Sequence, residues 1–484
     1  MTDPSGGDLT RLTLNEASAA VTGGQLSPVE LTEAYLDRIA AVDPAINAYT
    51  TVVADAARRD ARAAEHDIAH GRHRGPLHGL PVGLKDLFDT AGVRTTAGSA
   101  LRRDHVPATD SAVAARLREA GAVLLGKHAT HEFAWGGTTT NPHFGPTRNP
   151  WDLDRIPGGS SGGSAASLVA RTALASVGTD TCGSVRIPAA LCGCVGLKPT
   201  YGLIDLTGAV PLAPSLDHAG PLARTVADTA LLFDVLSGAA GRAGSAGEAG
   251  VGTRAGLGRD EEGDLTGLRV GWLGGWFSDV LDAEVAGVVA RCAGRLADRG
   301  AVVENLDAPD FGPVTDRVFD IVLAEAEPYH RAAFRGYPEM FGPDLRANLS
   351  LTPPTAAELA AGRPVLDRLT RWLDAALRRV DVLLAATEPL PAPPIGAGRV
   401  DVGDRDLHIE WALTRLTSVF NVARLPALSV PGGLSAGELS AGGLSAGGLP
   451  IGVQLVGRPL REVDVLRAGR AAEVSLGDPP LLGR

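Results

Sequence analysis

Two glycine-rich segments that each carry a serine are the parts of this 484-residue chain best equipped for chemistry. Residues 158–163 contain Ser160, and residues 179–186 contain Ser184. A glycine-rich turn leaves backbone N–H groups free, and such groups can stabilise the oxyanion of an acyl-transfer transition state by about 3–4 kcal/mol. A serine hydroxyl beside them can attack a carbonyl carbon once a base activates it. The two segments therefore predict acyl transfer.

A lysine at the end of an apolar run is the candidate base. Lys85 follows residues 79–84, which predict a short buried strand. Burial disfavours the charged form of lysine and lowers its pKa. A base that works near neutral pH needs this pKa to fall from about 10.4 to about 7–8. A buried ion pair of Lys85 with Asp86 or another carboxylate fits the same residues.

Lysine is rare in this chain. Among 45 basic residues there are three lysines, Lys85, Lys127 and Lys198. Lysine can lose its proton inside a protein whereas arginine stays charged, so a retained lysine is a candidate for proton transfer.

Residues 158–163 also fit two other kinds of site less well. A phosphate-binding loop requires Gly-Lys-Ser/Thr, which does not follow. The pattern G-x-S-x-G around Ser161 suggests a nucleophile elbow, but residues 149–155, which precede it, resemble a loop and not a buried strand. The apolar helix expected after residue 163 disfavours a flexible linker.

Alternating helices and strands are expected to position these residues. Ser27-Pro28-Val29-Glu30 predicts a capped helix that runs to about Ala41. Further helices are expected over residues 110–120, from about Ser164, from about Pro188 and around 285–296, and strands over 122–125, 174–177, 268–272 and 301–303. This order is typical of an α/β sheet with helices on both faces.

Composition excludes several classes of protein. The net charge of −11 disfavours nucleic acid and anionic membranes as partners. The amino-terminal residues do not resemble a signal peptide, and the chain has no run of about 18 apolar residues. The four cysteines are not arranged as two C-x-x-C pairs, which disfavours a zinc site or a disulfide framework. A cytoplasmic protein is expected.

Two segments are expected to be surface loops. Residues 238–266 are rich in glycine, alanine and acidic residues and show no periodicity. Residues 433–448 repeat a pentamer of the type Gly-Leu-Ser-Ala-Gly, which is too short to build a solenoid.

Taken together, the motifs resemble the amidase signature family, whose hydrolases use a Ser–cis-Ser–Lys triad. Besides the segments around Lys85, Ser160 and Ser184, the stretches NPHFGPTRNPW, CGCVGLKPTYG and SLDHAGPLARTVAD resemble the family. The resemblance implies a large central mixed β-sheet flanked by helices on both faces. It also implies one amidase domain over 1–484, made of a helical region (about 8–70), a core (about 71–237) and a carboxy-terminal part that lines the substrate pocket (about 267–484).

The resemblance assigns roles by position. Ser184 resembles the nucleophile that forms the acyl-enzyme, Ser160 the serine that follows a cis peptide bond, and Lys85 the neutral base. The backbone amides of Thr181, Cys182 and Gly183, with that of Ser184, are expected to form the oxyanion hole. Asp180 and Arg186 are expected to hold the turn. Lys127 and Lys198 are expected to be structural.

Two positions depart from the family pattern. Cys182 occupies a position that is usually glycine, and either strains the turn or is a tolerated change in packing. His128-Ala129 stands where the family commonly has Thr-Asn, which bears on substrate preference. Three histidines, His128, His131 and His143, are candidates for a metal site. The resemblance implies neither a metal nor another cofactor.

The function expected is hydrolysis of a small linear amide, at a carbon–nitrogen bond other than a peptide bond, by a monomer or a homodimer. The alternatives are a glutamine-dependent amidotransferase subunit that works with partner subunits, an acyltransferase with an acceptor other than water, and a non-catalytic binding protein that kept the fold. Candidates for the pocket wall, with core packing as the alternative, are Trp411, Phe420 and Asn421.

Overall fold

Helices and strands alternate along most of the chain, and the computed structural model describes them over residues 8–238, 263–436 and 448–479. Within these ranges the α-helices are α1 (Leu14–Thr22), α2 (Pro28–Ile46), α3 (Ala54–Ala69), α4 (Ala112–Glu119), α5 (Gly162–Val169), α6 (Arg186–Cys192), α7 (Val226–Leu236), α8 (Ala283–Asp298), α9 (Val314–Gly336), α10 (Pro343–Leu349), α11 (Ala356–Arg379), α12 (Ile409–Val422) and α13 (Glu462–Ala472). The strands are β1 (Tyr49–Val52), β2 (Pro81–Lys85), β3 (Val123–His128), β4 (Thr140–Asn141), β5 (Gly145–Pro146), β6 (Ala175–Asp180), β7 (Val195–Lys198), β8 (His218–Ala223), β9 (Arg269–Gly275), β10 (Val302–Ala308), β11 (Val382–Ala386), β12 (Arg399–Val402), β13 (Arg405–His408), β14 (Ala427–Leu434) and β15 (Pro450–Gly457).

Eleven strands form one mixed sheet in the order β1-β3-β2-β6-β8-β7-β14-β15-β11-β9-β10. β2 is parallel to β3 and β6, and β9 is parallel to β10 and β11. The other neighbouring pairs are antiparallel. Every residue of β2, β6, β7, β8, β11 and β15 is buried. Because successive side chains of a strand point to opposite faces, both faces of the central part of the sheet are covered, and the predicted α/β fold is confirmed.

The first long helix begins where the sequence predicts and ends later. The Ser27 side chain accepts hydrogen bonds from the N–H groups of Val29 and Glu30 at the start of α2. The buried face continues past Ala41, and α2 ends only at Ile46, where the cap residue Asn47 adopts a left-handed conformation with φ 54°. Asparagine tolerates that conformation better than most residues, so it makes a natural helix end.

The strand that leads to Ser184 is longer than its apolar run. The run predicts an end at Val177, but β6 continues to Asp180 through antiparallel pairing with β8. Similarly, α6 begins at Arg186, two residues before the proline that is expected to open it. The turn that carries Ser184 therefore spans only the few residues between β6 and α6.

Most of the two expected surface loops lies outside the described residues, namely 239–262 and 437–447. The start of the repeat is described and is not a loop, since Gly433 and Leu434 complete β14 and Leu434 pairs with Pro450 of β15. None of the helices in the described ranges is both long enough and apolar enough to cross a bilayer.

Candidate active site

Lys85 is the last residue of β2 and is fully buried. Its Nζ donates hydrogen bonds to Ser160 Oγ at 2.7 Å and to Thr179 Oγ1 at 2.8 Å. Burial holds the pKa of Lys85 well below its usual range, although the carboxylates of Asp180 and Asp217 oppose the effect. The amine is therefore favoured in its neutral form, the form that can accept a proton.

Asp86, the carboxylate next to Lys85 in the sequence, pairs with a different lysine. Its Oδ1 lies 4.0 Å from Lys127 Nζ, which also donates to the hydroxyls of Thr90 and Thr95 at 3.1 and 2.9 Å. Lys127 thus binds several buried oxygens at once, which is a structural role. The alternative of a Lys85–Asp86 ion pair is thus not the arrangement found.

The loop that contains Ser160 is held by a threonine from another segment. Thr139 Oγ1 donates to the Gly158 carbonyl oxygen at 2.8 Å and accepts from the Gly162 N–H at 3.1 Å. The peptide bond between Gly159 and Ser160 is cis, as the family resemblance implies. A Cβ on Gly159 would lie 2.8 Å from the backbone nitrogens of residues 138 and 139, so only glycine fits there.

The turn before Ser184 is organised by a buried ion pair. The Asp180 carboxylate accepts from the N–H groups of Gly183 at 2.9 Å and Val185 at 3.2 Å. It also pairs with the Arg186 guanidinium at 2.9 Å, and neither side chain is exposed. Burial works to raise the pKa of Asp180, but the Arg186 guanidinium, together with Lys198 and Asn421, holds the pKa below its usual range. Both side chains lie where they can hold the turn.

The same network separates the expected oxyanion-hole amides. It takes up the Gly183 N–H, whereas the N–H groups of Thr181, Cys182 and Ser184 lie outside it. Gly183 has φ 127°, and a Cβ there would lie 2.3 Å from Thr417 Oγ1. Cys182, by contrast, has no positive φ and is half-buried. The conformational freedom of glycine is therefore needed at 183 and is not required at 182.

Ser161 joins the two serine segments. Its N–H donates to the Ser184 carbonyl oxygen and its Oγ to the Thr179 carbonyl oxygen, both at 3.2 Å. Ser160 and Ser161 are fully buried, whereas Ser184 keeps 7% of its surface exposed. Ser184 is thus more exposed than Ser160 and Lys85.

The three histidines do not form a metal site. His128 Nδ1 lies 2.8 Å from Ser176 Oγ and His143 Nε2 lies 3.0 Å from Glu132 Oε1. Burial lowers the pKa of His128 to about 3 and that of His131 to about 4. Across the part of the chain that the structure describes, no group of three or more His, Cys, Asp or Glu side chains is arranged to hold a metal ion.

A cavity of about 420 Å³ lies beside Thr179 and Thr181, which form part of its wall. The rest of the wall is mainly apolar and includes Tyr201, Ile204 and Leu212.

The three residues that the sequence suggests for the pocket wall are not among those that line this 420 Å³ cavity. Phe420 is fully buried and stacks on Phe277 at 5.8 Å, and Asn421 donates to Asp180 Oδ1 at 2.8 Å. Trp411 is half-buried beside Arg415. Phe420 therefore belongs to the core, and Asn421 supports the turn.

Known proteins are similar to this chain in both sequence and fold. The family model for amidases matches residues 30–466. A glutamyl-tRNA(Gln) amidotransferase subunit from Roseiflexus sp. (strain RS-1) is 40% identical over 491 residues, which cover 96% of each chain. The solved peptide amidase from Stenotrophomonas maltophilia is 30% identical with a TM-score of 0.80 and covers 99% of each chain. The solved glutamyl-tRNA(Gln) amidotransferase subunit from Thermotoga maritima is 28% identical with a TM-score of 0.74 and covers 98% of each. The chain therefore belongs to the amidase signature family.

Proposed function

We propose that this protein hydrolyses a carboxylic amide to an acid and an amine or ammonia, through an acyl-enzyme on Ser184. The observation that carries the proposal is the 2.7 Å contact between the buried amine of Lys85 and the hydroxyl of Ser160. A neutral amine in that place can take up a proton through the serine, because its pKa is lowered by burial.

The reaction proceeds in two halves. As Ser184 Oγ attacks the carbonyl carbon, its proton passes to Ser160 Oγ while Ser160 gives its own proton to Lys85. The C–N bond then breaks, and the proton returns from Lys85 through Ser160 to the leaving nitrogen. Water attacks the acyl-enzyme with the same base, releases the acid and restores the Ser184 hydroxyl.

The tetrahedral oxyanion is stabilised by the amides of Thr181, Cys182 and Ser184. Gly183 supplies the conformation of the turn, since its own N–H is bound to Asp180. Asp180 and Arg186 are positioning residues, because they bind the turn and each other.

A second candidate function is glutamine hydrolysis within an amidotransferase. It is supported by the 40% identity to a subunit of that name over nearly the whole chain. In that role the same steps would release ammonia from glutamine, and the chain would act with partner subunits in the cytoplasm.

Mass spectrometry of the intact protein after treatment with a fluorophosphonate probe tests the assignment. We expect one label on the wild type and on Cys182→Ala, and none on Ser184→Ala. A label on Cys182, or none on the wild type, would overturn the proposal. A panel of amides that includes glutamine then separates the two functions, since an amidotransferase subunit should prefer glutamine and respond to its partner subunits.

A further inference from the structure

Glu410 lies on the helix face that closes on the Ser184 turn. It is in the first turn of α12, seven residues before Thr417. Residues seven apart share a helix face and are about 10 Å apart along the axis. Thr417 Oγ1 donates to the Cys182 carbonyl oxygen at 2.6 Å. Glu410 therefore lies about two helical turns from Thr417, on the face of α12 that contacts the turn carrying Ser184.

The carboxylate of Glu410 also contacts the loop beside Ser160. Its two oxygens accept from the Gly137 N–H at 3.0 and 2.8 Å. The residues that follow Gly137 pack directly on Gly159. Glu410 nevertheless remains half-buried, so part of it stays accessible.

Several carboxylates lie near Cys182 in the turn that carries Ser184. Burial is the main cause that raises the pKa of the Cys182 thiol, and the carboxylates of Asp180, Asp217 and Glu410 raise this pKa further. The Arg186 guanidinium opposes them. Since Arg186 is fully buried and bound to Asp180, it is not available to a substrate.

A second guanidinium is only partly engaged. Arg415 of α12 stacks on Trp276 at 4.1 Å and pairs through Nη2 with Asp279 at 2.7 Å, while its Nε and Nη1 have no hydrogen-bond partner among the described residues. Among the described residues that line the 420 Å³ cavity, which do not include Glu410, the charged side chains are two carboxylates, Asp205 and Asp217.

We infer that Glu410 determines substrate charge, so that the site favours amides with a positively charged group and rejects amides with a carboxylate. A carboxylate placed beside Glu410 would meet like charge, which is unfavourable in a partly desolvated site, whereas an ammonium group would find Glu410 as a partner. This inference rests on the proposed hydrolysis at Ser184. Burial raises the pKa of Glu410 to about 7, with Asp344 adding to the rise and the Gly137 N–H opposing it, so the test belongs at pH 8.

Three amides with the same five-carbon acyl chain test the inference: pentanamide, 5-aminopentanamide and the monoamide of glutaric acid. Two readouts apply, kcat/KM and the protection of Ser184 from the fluorophosphonate probe. We expect the wild type to prefer the amino compound over the carboxylate compound by at least about tenfold in both readouts.

Two variants of Glu410 separate charge from support of the loop. Glu410→Gln keeps an oxygen for the Gly137 N–H but loses the charge, and should reduce the preference to less than about threefold. Glu410→Asp keeps the charge and should restore part of the preference. The matched control is Glu358→Gln, because Glu358 is an exposed glutamate in the first turn of α11 that also accepts a backbone N–H.

The outcomes distinguish the inference from the proposed function. If Ser184 is labelled but the wild type shows no charge preference, or prefers the carboxylate compound, the inference alone is wrong. A preference that Glu410→Gln leaves intact would also overturn it. If Ser184 is not labelled at all, the proposed function fails and the inference falls with it.

Discussion

Thr417 Oγ1 donates to the carbonyl oxygen of Cys182 at 2.6 Å, although 235 residues separate the two in the sequence. The contact presses α12 against the turn that carries Ser184. Since Asn421 of the same helix also binds Asp180, the carboxy-terminal part of the chain helps to fix the shape of the turn that carries Ser184.

Gly183→Ala should damage both stability and activity. The added Cβ would lie 2.3 Å from Thr417 Oγ1, at a φ of 127° that side chains rarely adopt. We expect a loss of about 1–3 kcal/mol in the free energy of unfolding and a fall of kcat/KM by roughly 100-fold or more. Urea unfolding and steady-state kinetics measure the two. Gly267→Ala is the control, because its φ is 83° but nothing lies within 4 Å of the added carbon. Equal effects of the two substitutions would contradict the clash.

Lys85→Met should lower kcat/KM by roughly 10²–10⁴-fold, the usual share of a general base. It should also stabilise the fold near neutral pH. The buried amine is favoured in its neutral form, whereas the unfolded chain binds a proton below the ordinary lysine pKa of about 10.4. The native state therefore loses stability as the pH falls below that value, and the methionine variant escapes this loss. Its stability advantage should shrink as the pH rises from 7 to 10, as followed by thermal unfolding.

Lys198→Met provides the comparison for Lys85. Lys198 is also buried with a lowered pKa, but its Nζ contacts two backbone oxygens and His218 Nε2 and lies outside the Ser160 contact. This variant should keep the fluorophosphonate label on Ser184. Loss of label in both variants would mean that labelling reports on packing and not on the base.

Thr179→Val should shift the pH dependence of the reaction. The hydroxyl accepts a hydrogen bond from Lys85 Nζ at 2.8 Å, which favours the protonated amine. Without it the pKa of Lys85 falls further, and the acidic limb of the kcat/KM profile should move to lower pH. At the pH optimum, kcat/KM should fall by about tenfold, because one strong hydrogen bond is lost. Thr179→Ser should restore the wild-type profile, and an unmoved acidic limb in the valine variant would argue against the contact.

Glu388→Gln should make the protein more stable at pH 7.5. Both carboxyl oxygens of Glu388 are buried and have no hydrogen-bond partner in the described ranges, and burial raises its pKa well above the usual value although Arg186 opposes the effect. Since the unfolded chain ionises Glu388 above about pH 4.3, the native state loses stability as the pH rises through that range. The glutamine variant lacks this loss, so its advantage in Tm should disappear near pH 4. A lower Tm at pH 7.5 would contradict the assignment of a neutral carboxyl.

The sequence predicts the parts of the site that depend on local signals. An apolar run places Lys85 at the end of β2, and glycine-rich turns mark Ser160 and Ser184. The hydropathy pattern stops at Val177 and so predicts that Thr179 lies in the turn. The strand continues to Asp180 through backbone pairing with β8, which side-chain patterns do not report.

Contacts across long stretches of chain are the part that the sequence does not predict. Glu410 binds the Gly137 N–H across 273 residues, and neither segment carries a local signal for the other. Asn421 is a candidate for the pocket wall on sequence grounds, but it supports Asp180 instead. Both positions depend on how α12 packs against the sheet, which only the folded chain determines.

All three lysines of this chain have fully buried side chains. Reagents that acylate amines, such as activated-ester dyes and cross-linkers, therefore meet no lysine on the surface of the folded protein. Each unfolded molecule instead offers three reactive lysines. Mass-spectrometric counting of acyl groups on lysine would thus report directly on the unfolded fraction, without any engineered probe.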